Sequence, residues 1–129
     1  MKVNGLNFLV TCPPQFDEMS AFFENVMGLT VSSEGTPVTN KRVTRYVQYK
    51  LPNGDIVEIV DGDSSMRELL KVPVIQFEVD DVGKARREME RKGVEFVGPL
   101  YQSEDEGWTF FKAPNGDVYS IGGKYTDKA

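Results

Sequence analysis

The residues best able to do chemistry lie in two copies of one short motif. The pattern Pro-Asn-Gly-Asp followed by a strand-like run occurs at 52–59 and again at 114–121. The copies differ where the first has Glu58 and the second has Ser120. A buried carboxyl group can act as an acid–base group or as an anchor for a cation, because burial raises its pKa. A duplicated half-domain also predicts a cleft between similar halves, where a small ligand would bind. Glu58 is therefore the first candidate for catalysis or recognition.

Histidine is absent from the chain, and Cys12 is the single cysteine. Ser–His and Cys–His nucleophiles are therefore excluded, because nothing is present to activate them. Cys12 stands beside two prolines, and its position is typical of a small buried residue. One cysteine cannot form an internal disulfide, which fits a reducing compartment, and we expect a cytoplasmic protein.

Composition predicts one globular domain over residues 1–129, with 40% hydrophobic and 27% charged residues. The net charge is −5, and no basic cluster extends beyond the 84–92 segment, so we expect no nucleic-acid partner. No apolar run is long enough to span a bilayer, so we expect no membrane partner either.

Each half shows the same order of elements. In the first half, apolar spacing predicts a helix of about three turns from Phe16 to Val26, closed by Gly28. In the second, Asp80-Asp81 caps a helix that runs to about Lys92 and stops at Gly93. Strands are predicted at 6–11, 29–33, 43–51, 55–60, 72–79, 94–97, 107–112 and 117–121.

These elements predict an α+β fold made of two tandem β-α-β-β-β modules. The modules cover 1–63 and 72–125, and the linker 64–71 forms a short helix with Met66, Leu69 and Leu70 turned inward. We expect the strands to form a cupped mixed sheet around a cleft. The alternative is a plain α+β sandwich whose halves are similar by coincidence.

The chain resembles the vicinal oxygen chelate superfamily, which includes glyoxalase I, extradiol dioxygenases and bleomycin-resistance proteins. The resemblance covers nearly the whole chain and rests on the doubled module and its paired turns. It rests also on the run Phe22-Phe23-Glu24-Asn25-Val26-Met27-Gly28-Leu29 and on the strand Ile75 to Asp81. It implies the glyoxalase/bleomycin-resistance fold but assigns no single activity, since this fold hosts many.

The resemblance also implies a divalent metal bound by the first and last strands of each module. Carried over by position, its ligands fall on Phe8, Val74, Glu58 and Ser120. Only Glu58 matches a usual ligand, whereas a catalytic metal generally has about three protein ligands. We therefore expect no metal and no cofactor. A metalloenzyme with Glu58, Glu78 and aspartates on Mg²⁺ or Mn²⁺ is the less favoured alternative.

Strand alternation indicates which side chains line the expected cleft. The predicted ligand-binding residues are Phe8, Val10, Tyr46, Tyr49, Glu58, Val74, Gln76, Trp108, Phe110 and Ser120. On the last-but-one strand, the pattern leaves open whether Trp108 and Phe110 or Thr109 and Phe111 face the cleft. The plainer alternatives are a solvated Glu58, or one paired with Arg42 or Arg45, and aromatic residues that only fill the core.

The favoured function is metal-independent binding of a small organic molecule, which the protein sequesters or senses. The resemblance to drug-resistance proteins implies a flat, cationic, aromatic ligand held by stacking and cation–π contacts, as in antibiotic resistance. The alternative is a glyoxalase- or dioxygenase-like lyase or isomerase, with Glu58 or Glu78 as acid–base group and with or without a divalent metal. The resemblance further implies a homodimer.

Overall fold

The structure is a computed structural model that describes residues 1–37 and 41–126. Residues 38–40, in the middle of the predicted loop between the second and third strands, lie outside the described part. Two compact units are present. The first unit is Phe8–Val74, and the second combines Met1–Asn7 with the described part of Ile75–Ala129.

Eight strands and four helical segments make up the described chain. In chain order they are β1 (Val3–Thr11), α1 (Phe16–Ala21), a π-helix (Phe22–Val26), β2 (Val31–Gly35), β3 (Val43–Lys50), β4 (Ile56–Gly62), α2 (Ser64–Leu69), β5 (Val74–Asp81), α3 (Val82–Arg91), β6 (Phe96–Ser103), β7 (Glu106–Lys112) and β8 (Val118–Lys124). The α+β class is therefore confirmed. No helix in the described residues has the length and apolar character needed to cross a bilayer.

The two units repeat one topology. Hydrogen-bonded strands follow the order β2-β3-β4-β1 in the first unit and β6-β7-β8-β5 in the second. In each unit the last strand pairs in parallel with the first strand of its module and antiparallel with the strand before it. The predicted β-α-β-β-β repeat is thus present twice. The cleft expected between the modules stays a prediction.

Helix ends follow the sequence closely in the second unit. The Asp81 side chain accepts a hydrogen bond from the backbone N–H of Lys84 (3.1 Å) and so caps α3. Gly93 follows the helix with a φ of +89°, a conformation that favours glycine at a helix end. Both boundaries were predicted because capping carboxylates and terminal glycines act locally.

Two elements differ most from the sequence prediction, while the ends of the other strands shift by at most three residues. The helix expected over 16–26 is α-helical only to Ala21 and continues as the π-helix, from which Phe23 and Glu24 both contact Tyr49. Strand β6 extends past the predicted end at Val97 to Ser103, because a bulge with Gly98 at a φ of +81° lets pairing with β7 resume.

Each unit packs its helix against one face of its strands. In the first unit, Phe16, Val47, Tyr49 and Ile59 form the core beneath α1. In the second, the buried core residues Val79, Val82, Ala85, Met89 and Ile121 lie beneath α3. The opposite face of each set of strands therefore carries the remaining side chains, and these include most of the predicted site.

Candidate functional site

A row of side chains crosses the four strands of the first unit on the face opposite α1. Ser33 of β2 pairs with Gln48 of β3, and Gln48 pairs with Glu58 of β4. Glu58 in turn pairs with Val10 of β1. Paired residues in a sheet point to the same face, so these four side chains are neighbours. Together with Tyr46 they are called the Glu58 surface below.

Glu58 is the only ionisable member of this row. Its half-buried side chain accepts a hydrogen bond from the side-chain amide of Gln48. Burial raises the pKa of Glu58 to about 7, and the Gln48 hydrogen bond opposes that rise only in part. The group is therefore present in both protonation states near neutral pH.

Arg45, one of the two arginines considered as a partner of Glu58, is engaged elsewhere. Arg45 forms ion pairs with Asp17 (3.0 Å) and Asp61 (3.1 Å), and its guanidinium lies 4.3 Å from the Phe16 ring centroid. Hydrogen bonds to Asp17 and Asp61 raise the pKa of Arg45, so its guanidinium stays positively charged. The alternative in which Arg45 neutralises Glu58 is therefore wrong.

The two tyrosines predicted to line the site lie on opposite faces. The hydroxyl of Tyr46 is 3.0 Å from Ser33 Oγ, on the Glu58 surface. Tyr49 is fully buried beneath α1, and its hydroxyl donates to Glu24 Oε2 (2.9 Å). Burial and that carboxylate raise the pKa of Tyr49 above its usual range. The placement of Tyr49 beside Tyr46 was wrong, because an odd separation along a strand reverses the face.

The apolar residues predicted on the first strands are largely buried. Phe8 is half-buried, whereas Val10 and Val74 are only 5% and 1% exposed. Val10 is thus an apolar neighbour of the Glu58 carboxyl through the parallel pairing of β1 with β4. Val74 begins β5 and carries no atom that could hold an ion.

In the second unit, the predicted polar residues are joined in a buried network. Gln76 Nε2 donates to Ser120 Oγ (3.1 Å), and Ser120 Oγ donates to the Thr109 carbonyl (2.9 Å). Asn7, which the sequence analysis missed, donates to Gln76 Oε1 (2.8 Å). No local pattern identifies this partner, because it lies far from Gln76 in sequence. The polar side-chain atoms of Gln76 and Ser120 therefore already have hydrogen-bond partners within the protein.

The structure answers which side chains of β7 lie away from α3. Thr109 accepts a hydrogen bond from Arg86 of α3 (2.8 Å), and Phe111 packs on the core beneath that helix. Trp108 and Phe110 therefore lie on the other face, where Ser120 pairs with Phe110. Tyr101, a residue not predicted, stacks on Trp108 with ring centroids 5.9 Å apart.

The donor set does not fit the metal that the resemblance implies. Phe8 and Val74 have no donor atom, and the Ser120 hydroxyl is engaged on both sides. Across residues 1–37 and 41–126, no three His, Cys, Asp or Glu side chains come together in a way that could hold a metal ion. Glu58 alone provides a suitable ligand, which is fewer than metal binding requires.

A cavity of about 490 Å³ opens in the first unit mostly on the α1 side of the strands, and it meets the Glu58 surface only at Tyr46. The cavity is lined by Phe16, Asp17, Ser20, Glu24, Glu34, Gly35, Thr36, Arg45, Tyr46 and Val47. Two of its three carboxylates, Asp17 and Glu24, already have partners in Arg45 and Tyr49. No sequence pattern predicts this cavity, because its lining residues come from three separate segments.

Comparisons with known proteins agree with this architecture. A sequence model of the Glyoxalase/Bleomycin resistance protein/Dioxygenase superfamily matches residues 5–118. No curated protein matches the sequence. A hypothetical protein from Bacillus halodurans C-125 has a similar structure, with a TM-score of 0.76, 11% identity and 99% of each chain covered.

Two epimerases are also similar in structure. Methylmalonyl-CoA epimerase from Mycobacterium tuberculosis has a TM-score of 0.74 and 15% identity over 95% of this chain and 89% of that one. The Streptomyces coelicolor enzyme, in complex with 2-nitronate-propionyl-CoA, has a TM-score of 0.74 and 14% identity over 99% of each chain. At these identities the likeness shows the fold alone.

Proposed function

Because the chain belongs to the glyoxalase/bleomycin resistance protein/dioxygenase superfamily, we propose that it binds a small organic molecule on the Glu58 surface without a metal. The observation that carries this proposal is the state of Glu58. A half-buried carboxyl group that accepts from one amide, with no cation beside it within residues 1–37 and 41–126, is costly to keep for stability alone. A ligand that contacts the carboxyl group would offset that cost.

The surroundings of Glu58 favour a ligand with an apolar body and one polar head. Val10 offers apolar contact, while Tyr46, Gln48 and Ser33 offer uncharged hydrogen-bonding groups. Such a balance is typical of organic-ligand sites. A cationic head would bind the ionised form of Glu58, so we favour a planar aromatic cation over a carboxylate or phosphate.

The proposal is tested by a fragment screen followed by NMR. The library includes N-methylquinolinium and its uncharged analogue quinoline, and the readout is the side-chain NH₂ signal of Gln48, which contacts Glu58 directly. We expect hits that move this signal in the wild type, with N-methylquinolinium binding better than quinoline. Hits confined to other surfaces, or no hits, would refute the proposal. Glu58→Gln removes the charge with little change of shape, and Glu34→Gln is the matched exposed control.

A second candidate function is proton transfer on carbon. It is supported by the pKa of Glu58 near 7, which is the range that suits a general acid or base. In this candidate the carboxylate accepts a proton from a carbon next to a carbonyl group, and the resulting carboxylic acid returns it. The epimerases of similar fold make an acyl-CoA the first substrate class to try.

This second candidate is tested with methylmalonyl-CoA in deuterated water. We expect the wild type to exchange the hydrogen next to the carbonyl faster than buffer does, and we expect Glu58→Gln to lose that acceleration. If hydrogen exchange with either protein is no faster than in buffer, catalysis on this substrate is rejected and only the binding function remains. Glu78→Gln tests the other carboxyl group named from the sequence.

The assembly and setting of the protein are also proposals. The family resemblance supports a homodimer, and the single cysteine supports a reducing cytoplasm. A sequestering role would make the protein a drug-resistance factor. Light scattering on the purified protein tests the dimer, and growth of expressing cells on cationic aromatic antibiotics tests the resistance role.

A further inference from the structure

The two Asn-Gly turns have the same backbone hydrogen bonds. The N–H of Gly54 donates to the carbonyl of Leu51 (2.9 Å), and the N–H of Gly116 donates to that of Ala113 (2.9 Å). Both glycines have a positive φ, +93° and +89°, so other residues would strain the turn. The turns lead directly into β4 and β8.

In each turn, one aspartate holds both ends of the asparagine carboxamide. Asn53 Nδ2 donates to Asp55 Oδ2 (2.7 Å), and the backbone N–H of Asp55 donates to Asn53 Oδ1 (3.1 Å). Asn115 and Asp117 repeat both contacts, at 2.9 Å and 3.1 Å. All four residues are exposed, so these contacts are not imposed by packing.

Asn-Gly pairs are the ones most open to spontaneous deamidation, because glycine has no Cβ to hinder the attacking nitrogen. The glycine nitrogen forms a bond to the asparagine Cγ, and the bond from Cγ to the side-chain nitrogen breaks. The displaced nitrogen takes the glycine N–H proton and leaves as ammonia. Water then opens the five-membered imide to aspartate or isoaspartate.

We propose that Asp55 and Asp117 protect Asn53 and Asn115 from deamidation, which makes these asparagines latent modification sites. The attacking N–H of each glycine is held by a backbone carbonyl. The carboxamide must also turn its carbon towards that nitrogen, and two hydrogen bonds oppose the rotation. Both restraints must break before the reaction can begin.

Deamidation would also remove the contact that protects the asparagine. Once Asn53 becomes an aspartate, a carboxylate stands where an N–H donor contacted Asp55. Two like charges at hydrogen-bond distance repel, so the side-chain hydrogen bond between positions 53 and 55 does not form again. The turn at the start of β4, the strand that carries Glu58, is then loosened.

The duplication provides an internal control for the test. Wild type, Asp55→Ala, Asp117→Ala and Asp55→Asn are incubated in folded form at mildly alkaline pH, and deamidation of each turn is followed by peptide mass spectrometry. The wild type unfolded in urea gives the unprotected rate. Asp55→Asn keeps an acceptor oxygen without the charge, so it separates hydrogen bonding from simple loss of the side chain.

We expect equal rates at the two turns of the wild type, both below the rate in urea. Asp55→Ala should speed the reaction at Asn53 by roughly three- to tenfold and leave Asn115 unchanged, and Asp117→Ala should do the reverse. Asp55→Asn should fall between. Unchanged rates in the variants, acceleration at both turns in a single variant, or a wild type as fast as the urea sample would each overturn the proposal.

Discussion

Glu58 and Gln48 stand directly opposite each other on β4 and β3, and the Gln48 amide donates a hydrogen bond to the Glu58 carboxyl group. This bond favours the charged form, yet burial outweighs it and the pKa rises to about 7. Gln48 thus fixes the orientation of a carboxyl group that can gain or lose a proton at neutral pH. The predictions below follow from this pair and from the buried networks of each unit.

Glu58→Gln should remove a pH dependence of stability. The ordinary value of 4.5 rises to about 7 in the folded protein, so folding binds a proton. The wild type therefore carries no penalty below about pH 4.5 and loses up to about 3 kcal/mol as the pH rises from about 4.5 to just above 7. Urea unfolding at acidic and alkaline pH should show Glu58→Gln to be more stable than the wild type only at the alkaline end. An equal response in the control Glu34→Gln would contradict this.

Tyr49→Phe should destabilise the protein more than Tyr46→Phe does. The buried Tyr49 hydroxyl donates to the exposed Glu24 carboxylate, and losing a hydrogen bond to a charged group costs about 1.5–3 kcal/mol. The Tyr46 hydroxyl contacts Ser33 on a half-exposed surface. Its removal should therefore lower the free energy of unfolding by about 1 kcal/mol or less. Urea unfolding measures both. Ligand binding should respond only to Tyr46→Phe, and the reverse order would show that the two faces are wrongly assigned.

Gly122→Ala should be destabilising because of one neighbour. An added Cβ would run into the side-chain amide of Gln76, and overpacking of this kind costs about 1–3 kcal/mol. In a Gln76→Ala background the same change should cost much less. The test is a double-mutant cycle from urea unfolding, in which additive effects of the two substitutions would refute the close approach.

Divalent ions should leave stability unchanged. Glu58 is the only suitable donor among the four positions that the resemblance assigns to a metal, so binding of Mg²⁺, Mn²⁺ or Zn²⁺ to the folded state should be too weak to stabilise it. Thermal unfolding with added ion, and after treatment with a chelator, measures this. A rise in Tm with ion that is lost in Glu58→Gln would restore the metal alternative.

Local signals predicted local structure well. Asp81 and Gly93 mark the ends of α3 because capping groups act on their own backbone neighbours. The predicted strand 94–97 stopped short of the end of β6, because the bulge at Gly98 lies inside the strand. Such a bulge depends on pairing with β7, which no single segment encodes.

Face assignments depended on parity and on distant partners. The separation of Tyr46 and Tyr49 already predicts opposite faces, so this error lay in the interpretation and not in the sequence. The partners of Gln76 could not be predicted in the same way, because Asn7 and Ser120 reach it from remote strands. Glu58 was identified early because it breaks an otherwise repeated motif.

The most direct test of the central claim is calorimetric titration of N-methylquinolinium into the wild type and Glu58→Gln at about pH 6 and about pH 8. Because the cation prefers ionised Glu58, whose pKa is about 7, affinity for the wild type should rise about tenfold over this range. Glu58→Gln should bind more weakly, with an affinity independent of pH. The same pH dependence in Glu58→Gln, or no binding to the wild type at either pH, would contradict the account.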